Sequence, residues 1–216
     1  DAQACTKDGK PGSGIVTPAR CPEWLDAKRS LLGLTQEQWL EGQLAQAGTR
    51  GSVWNVLCQS TLLGQRDFVA EGAGQRLWND GWDGYAAARS RLTRALQKHQ
   101  VANPVVLGGD VHANWVGHVL ADYQQPDSPS VGVEFCGTSI TSHAGKEDRS
   151  QQQLARNPHF IFADAQHRGY GMAHFSAKAL EVQLRVLDDV TRRDASISTL
   201  ASFQVQAGVA RVGRTG

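Results

Sequence analysis

The sequence carries almost no net charge: 22 Lys and Arg stand against 21 Asp and Glu, a formal balance of +1. Without a basic excess or a long like-charge run it has little with which to recruit a phosphate backbone, so no nucleic-acid surface is expected. Long apolar runs are missing too. The longest fall far short of the roughly 18 residues that cross a bilayer, so no membrane span is expected. No charged-then-apolar export segment opens the chain, which leaves any upstream signal open. There is no CxxC pair, which removes the common structural zinc arrangements, and there is no internal repeat or low-complexity linker.

What remains is 216 residues, 40% hydrophobic, enough for one good core or two small ones. Cys5 and Cys21 bracket a Gly/Pro/Lys loop with little means of forming a core. Two readings stand: a disulfide stapling the loop, worth about 3 kcal/mol and pointing to an oxidising compartment, or two free surface thiols. Cys58 and Cys136 lie in apolar runs and read as small buried hydrophobes. Thr35 followed by Gln38 reads as a capping box opening a helix over 35–47, with Trp39, Leu40 and Leu44 on one face. VWNVLC (53–58) reads as a strand. Residues 85–99 put Tyr85, Ala88, Leu92 and Leu96 on one stripe and Arg89, Arg91 and Arg94 largely off it, an amphipathic helix with a solvated basic face. Pro104 introduces the strand VVLGG, followed by GVEFCG, HFIFAD, YGMAHF and the alternating ALEVQLRVL, so the second half is mostly sheet.

The stretch VVLGGDVHANW (105–115) carries the chemistry. Side chains two apart on an extended strand share a face, so Asp110 and His112, just past the strand's carboxyl end, would converge on one metal if the backbone stayed extended through Val111. The two glycines permit close approach and unusual φ values, and Asn114 and Trp115 could supply a polar contact and a wall. The bland alternative is an Asp that caps a turn and a satisfied edge histidine. Asp-x-His also opens the site of many metallophosphoesterases, but those continue with a Gly-Asp and a Gly-Asn-His, and neither follows residue 112. Here the pair is therefore a late motif of its site.

The segments LLGLTQEQWLEGQL, WDGYAAAR, VVLGGDVHANW, VEFCGTSITS, NPHFIFADAQHRGY and LRVLDDVTRRDASISTLASFQV resemble, in order and spacing, the carboxyl-terminal half of the PhoD-like alkaline phosphatase family, over residues 20–210. The resemblance implies an α/β (α+β) fold, a calcineurin-like metallophosphatase β-sandwich with helices outside. Residues 1–30 would form a Cys-bracketed loop region and 31–216 the helix and sheet core. It implies metal-dependent hydrolysis of phosphate mono- or diesters, iron with calcium as the metals, and a periplasmic or secreted location. Asp110 and His112 would be the late metal ligands. The family's earlier motifs, which hold most of the metals, are not in this sequence, so the chain resembles a half: a truncated gene, a fragment or one chain of a split protein, with a missing amino-terminal half as partner. Cys58 and Cys136 do not match the family's metal-bound cysteine.

Around the pair, Asn114 is a candidate for supporting a ligand or touching substrate. Thr138, Ser139 and Ser142 could present hydroxyls, though a polar strand exit explains them as well. Tyr170, in the segment matching the family's Arg-Gly-Tyr, is a candidate pocket residue, as is a packed strand tyrosine. Asp83 and Tyr85 in WDGY read first as a packing device. His118, His143, His159, His167 and His174 lack a metal-ligand partner at useful spacing and read as surface or core histidines. The expectations are therefore a phosphatase when complete, an inactive half-domain, or a non-catalytic binding module. A half-domain would leave a hydrophobic sheet edge or face exposed where the other half packs.

Overall fold

The structure, a computed structural model, describes residues 3, 5, 12–68, 74–125, 127–142 and 149–216. His143 and part of the Cys-bracketed loop lie outside them. In chain order the elements are β1 (Ile15–Val16), α1 (Leu34–Ala45), β2 (Asn55–Cys58), β3 (Leu77–Trp78), α2 (Ala86–Lys98), β4 (Pro104–Gly108), β5 (Asn114–Leu120), β6 (Ser130–Cys136), α3 (Ser150–Arg156), β7 (Phe160–Asp164), β8 (Arg168–Phe175), β9 (Ala179–Leu187), β10 (Ile197–Gln206) and β11 (Gly213–Arg214).

Two larger sheets face each other. One runs β2-β4-β6-β5-β7, with β2, β4 and β6 parallel and β5 antiparallel to its neighbours; the other is the antiparallel order β11-β10-β9-β8. Alternation in ALEVQLRVL explains the contact. Leu180, Val182, Leu184 and Val186 point inward, while Glu181 and Gln183 face solvent. The first three of these, with Phe203 and Val205 of β10, pack on Val105, Val116, Val133 and Phe135 of the other sheet. On the opposite face of the five-stranded sheet, Ala88, Leu92, Ala95 and Leu96 of α2 pack with Leu63, Val106 and Val119. The run VVL can therefore be apolar on both faces, as a strand covered on both sides requires, whereas VEF turns Val133 and Phe135 to the sandwich and the buried Glu134 to the other face. The result is a β-sandwich with a helix layer outside.

A satellite core of Val16, Cys21, Trp24, Leu77 and Ala86 anchors the Cys-bracketed segment. Cys5 and Cys21 are joined in a disulfide with Cα atoms 5.6 Å apart, and the Trp24 indole donates to the Asp83 carbonyl at 2.6 Å. This segment thus has more apolar packing than its composition suggests.

Three local expectations are corrected. The helix over 34–45 has Gly33 as its N-cap and no side-chain cap, so Thr35 and Gln38 form no capping box. Glu37 instead accepts two hydrogen bonds from Arg91 of α2, at 2.7 and 2.9 Å, and one from Ser30. Arg89 is 2% exposed, not solvated: it ion-pairs with Asp83 and donates to Gln65 and the Leu63 carbonyl. A guanidinium at that depth needs such partners, and only Arg94 behaves as the basic-face reading expects. Cys136 is buried as expected, but Cys58 is exposed, because β2 is an edge strand.

In the second sheet β8 is an edge strand, and its residues from Tyr170 to Phe175 are all exposed. Among the described residues neither β2 nor β8 has a neighbour on its outer side. The two free edges lie together: Trp54, just before β2, donates its indole N–H to the Ser176 carbonyl at 2.6 Å.

Candidate metal-binding site

The carboxyl ends of the parallel strands β2, β4 and β6 bring three loops side by side: Gln59 to Thr61, Gly109 to Ala113, and Gly137 to Ser139. Gly108 is required here. A Cβ on it would strike the Thr61 carbonyl and come within 2.7 Å of the Gln59 side-chain nitrogen. The glycine thus lets the loop after β2 press directly on β4.

Asp110 and His112 do not continue as an extended strand. Their φ angles are 65° and 55°, and the Val111 amide donates back to the Gly109 carbonyl at 2.8 Å, closing a three-residue turn around Asp110. The unusual φ values fall on the two polar residues and not on the glycines before them. Left-handed non-glycine residues of this kind cost on the order of 1–3 kcal/mol each and persist only where their surroundings hold them. Both side chains are exposed. Asp110 lies on the wall of a cleft of about 530 Å³, with Asp80, Cys58 and Thr61 and the apolar surfaces of Trp39 and Trp82.

Beneath this turn runs a polar frame. Asn114, the first residue of β5, is 1% exposed and accepts the Thr138 amide at 3.1 Å. The Thr138 hydroxyl donates to the His167 carbonyl at 2.9 Å. Arg168, 4% exposed at the start of β8, reaches the His112 carbonyl at 2.7 Å, the Thr138 hydroxyl at 2.8 Å, the Ser139 hydroxyl at 3.1 Å and the Ala165 carbonyl. His112, Asn114, Thr138 and Ser139 are therefore brought together, through Arg168 and Thr138. Tyr170 makes no hydrogen bond to any of them, and stands 42% exposed on the free edge of β8. His167 is an exposed histidine whose Nδ1 lies 3.0 Å from Asp164, which also accepts its backbone amide. His118 and His159 are satisfied partly buried histidines, bonded to the Val212 amide and the Gln65 carbonyl.

A second buried network stands behind the loop after β2. Glu134 of β6, 1% exposed, accepts the Leu63 and Gly64 amides at 2.6 and 2.8 Å. Burial pushes its carboxyl up to about 7, against the lowering effect of those two amides and of Arg89. Burial likewise raises the Cys136 thiol, with Glu134 adding to the effect.

An ionised carboxylate and a neutral imidazole suit a hard or borderline cation. Among the described residues, however, no three His, Cys, Asp or Glu side chains converge as a metal-holding group.

A model of the PhoD-like phosphatases matches residues 1–184. The chain belongs to the PhoD-like phosphatase family. It is 36% identical to alkaline phosphatase D of Bacillus subtilis (strain 168) over 221 residues, an alignment covering all of this chain and 36% of the relative. The solved structure of PhoD superposes with a TM-score of 0.84 at 35% identity, covering 94% of this chain and 38% of the other. The chain therefore spans little more than a third of the length of these relatives. The mixed α/β sandwich is thus the fold that the PhoD-like resemblance implied.

Proposed function

We propose that this chain is the carboxyl-terminal part of a metal-dependent phosphate-ester hydrolase of the alkaline phosphatase or phosphodiesterase type. In this reading Asp110 and His112 supply the late ligands of an iron and calcium centre. The observation that carries it is the left-handed turn that presents both residues, exposed, at the carboxyl end of β4 beside a cleft. Strained backbone of this kind persists at functional sites because the geometry serves the site, and open α/β sheets collect ligands at strand carboxyl ends. Bound cations supply charge for the phosphoryl oxygens during an in-line displacement. The chain's own contribution is to hold the Asp110 carboxylate and the His112 imidazole in place, with Thr138 and Ser139 fixed behind them.

The remaining ligands, in this reading, come from an amino-terminal half that extends both sheets. Its support is the pair of free edges, β2 and β8, joined at Trp54 on one side of the sandwich. Exposed Val53, Val56 and Trp39 near β2 and Met172 and Phe175 on β8 supply apolar surface there. The Cys5–Cys21 disulfide supports a periplasmic or secreted location. A second reading, a half-domain inactive by itself, is favoured by the lack of a third converging ligand among the described residues.

The test is metal content and phosphate-ester hydrolysis of this chain alone and mixed with the amino-terminal half of a relative. Weak metal binding and little hydrolysis are expected alone, with both restored by the mixture and lost again in Asp110→Asn or His112→Ala. Strong hydrolysis by the isolated chain, indifferent to both substitutions, would overturn the reading. A mixture that stays inactive while both halves are folded supports the half-domain reading instead.

A further inference from the structure

Arg168 is a buried cation without a carboxylate partner. Among the described residues no Asp or Glu oxygen lies within 4.0 Å of its guanidinium, and its Nε is buried with no hydrogen-bond partner. Burying a guanidinium without a counter-charge is costly unless its hydrogens are taken up by other acceptors. Its two outer nitrogens find only neutral ones: the carbonyls of His112 and Ala165 and the hydroxyls of Thr138 and Ser139. Those acceptors belong to three separate segments, the turn after β4, the exit of β6 and the turn before β8. The rigid planar fork of an arginine can span them at once, whereas the single ammonium of a lysine cannot.

The backbone around Arg168 reinforces the arrangement. The amide of Gly169 donates to the Ser139 carbonyl at 3.1 Å, so main chain and side chain grip the same loop. A side chain at 169 would strike the Arg185 carbonyl, so glycine is what lets β8 begin directly after Arg168. The carbonyl that Arg168 holds at 2.7 Å belongs to His112, one of the two left-handed residues of the turn. A strained conformation needs such an external hold, and the exposed imidazole has none of its own among the hydrogen bonds of this site.

We propose that Arg168 is the positioning residue of the site: from below the loop surface it fixes the left-handed backbone at His112 and ties it to Thr138 and Ser139, so that the imidazole is presented in one orientation. The inference rests on the reading of His112 as a metal ligand only in its consequence for metal binding; the hold on the turn stands on geometry alone. Groups that orient a metal ligand from behind typically change metal affinity by about 10- to 100-fold when removed.

Two measurements on this chain separate those layers. Amide hydrogen exchange in Arg168→Gln and Arg168→Lys should speed up about tenfold or more at Val111 and Thr138, whose amides are bonded within the frame. Amides of β9 and β10 should stay at their original rates, and Lys should lie between Arg and Gln. Unchanged exchange at Val111 and Thr138 in folded Arg168→Gln overturns the proposal, as does loss of protection across the whole chain. Manganese, as a paramagnetic probe, should broaden the His112 resonances in the parent chain, with an affinity about tenfold or more weaker in Arg168→Gln. Equal affinity in parent and variant overturns the positioning role. No broadening in the parent overturns the metal reading of the turn, and the exchange result then decides on Arg168 by itself.

Discussion

Trp54 meets Phe175 edge to face, with ring centroids 5.8 Å apart and planes at 68°. One residue precedes a free edge of the mixed five-stranded sheet and the other ends a free edge of the antiparallel sheet, so this contact fixes how the two edges are aligned.

Trp54→Ala removes the ring pair and the indole bond to Ser176, and should lower the unfolding free energy by about 1–2 kcal/mol. Trp54→Phe should recover the ring contribution but not the hydrogen bond. Urea denaturation of the three chains checks this, and equal midpoints would show that the edges are aligned without Trp54.

The Asp83–Arg89 pair should behave as a buried pair rather than a surface one. Removing one partner, as in Arg89→Ala, strips the buried Asp83 of its ion-pair partner and leaves it the Arg66 amide and charge, and should cost about 3–5 kcal/mol. Arg94→Ala, on the same helix but exposed, should change stability by less than about 0.5 kcal/mol. A cost for Arg89→Ala no larger than that for Arg94→Ala would contradict the burial of the pair.

Stability against pH carries two opposed contributions. Glu134, raised by burial from 4.5 to about 7, holds its proton more tightly when folded, so its contribution to stability falls as pH rises through that window. His159, lowered by burial from 6.5 to about 4, holds its proton less tightly when folded, so its contribution rises with pH through that window. Between these limits the two largely offset. Glu134→Gln should therefore unmask a stability that climbs with pH relative to the parent, and His159→Gln one that declines. Urea midpoints measured across the acid range test the signs, and a shift in the same direction for both variants would refute the assignment.

At Asp110 function and stability should pull apart. Glycine adopts a φ of 65° without steric cost, so Asp110→Gly should leave stability unchanged or raise it by up to about 1 kcal/mol. The same change should abolish metal binding at the turn. Thermal unfolding and manganese titration read the two quantities separately, and a destabilised Asp110→Gly would mean that Asp110 is there for the fold.

The sequence made the regular elements legible where one periodicity dominated. ALEVQLRVL alternates without a break and forms β9 over those very residues, and the stripe through Ala88, Leu92 and Leu96 does face the core. Periodicity failed where a polar group is buried by a partner elsewhere. Arg89 sits beside the apolar stripe, and its burial is made tolerable by Asp83 on the preceding turn together with Gln65 and the Leu63 carbonyl. Arg168 adjoins the recognised Gly169 and Tyr170, yet its acceptors lie 56, 30, 29 and 3 positions away, and no local pattern announces such a frame. Glu134 was hidden likewise, an acid in an apolar strand whose donors are 71 and 70 positions distant. The Asp-x-His pair was visible from residue types alone. Its left-handed backbone was not, because extended geometry is what a strand end suggests when glycines precede it.

The open side of the sandwich has a colloidal consequence. Each free edge offers unpaired backbone N–H and C=O groups, and β8, eight residues long with Met172 half-exposed, is far the longer template. Folded proteins guard such edges with prolines, charges or bulges, and between Tyr170 and Phe175 there is only His174 to serve. Among the described residues no strand covers that edge, so it has the makings of a template for a further strand.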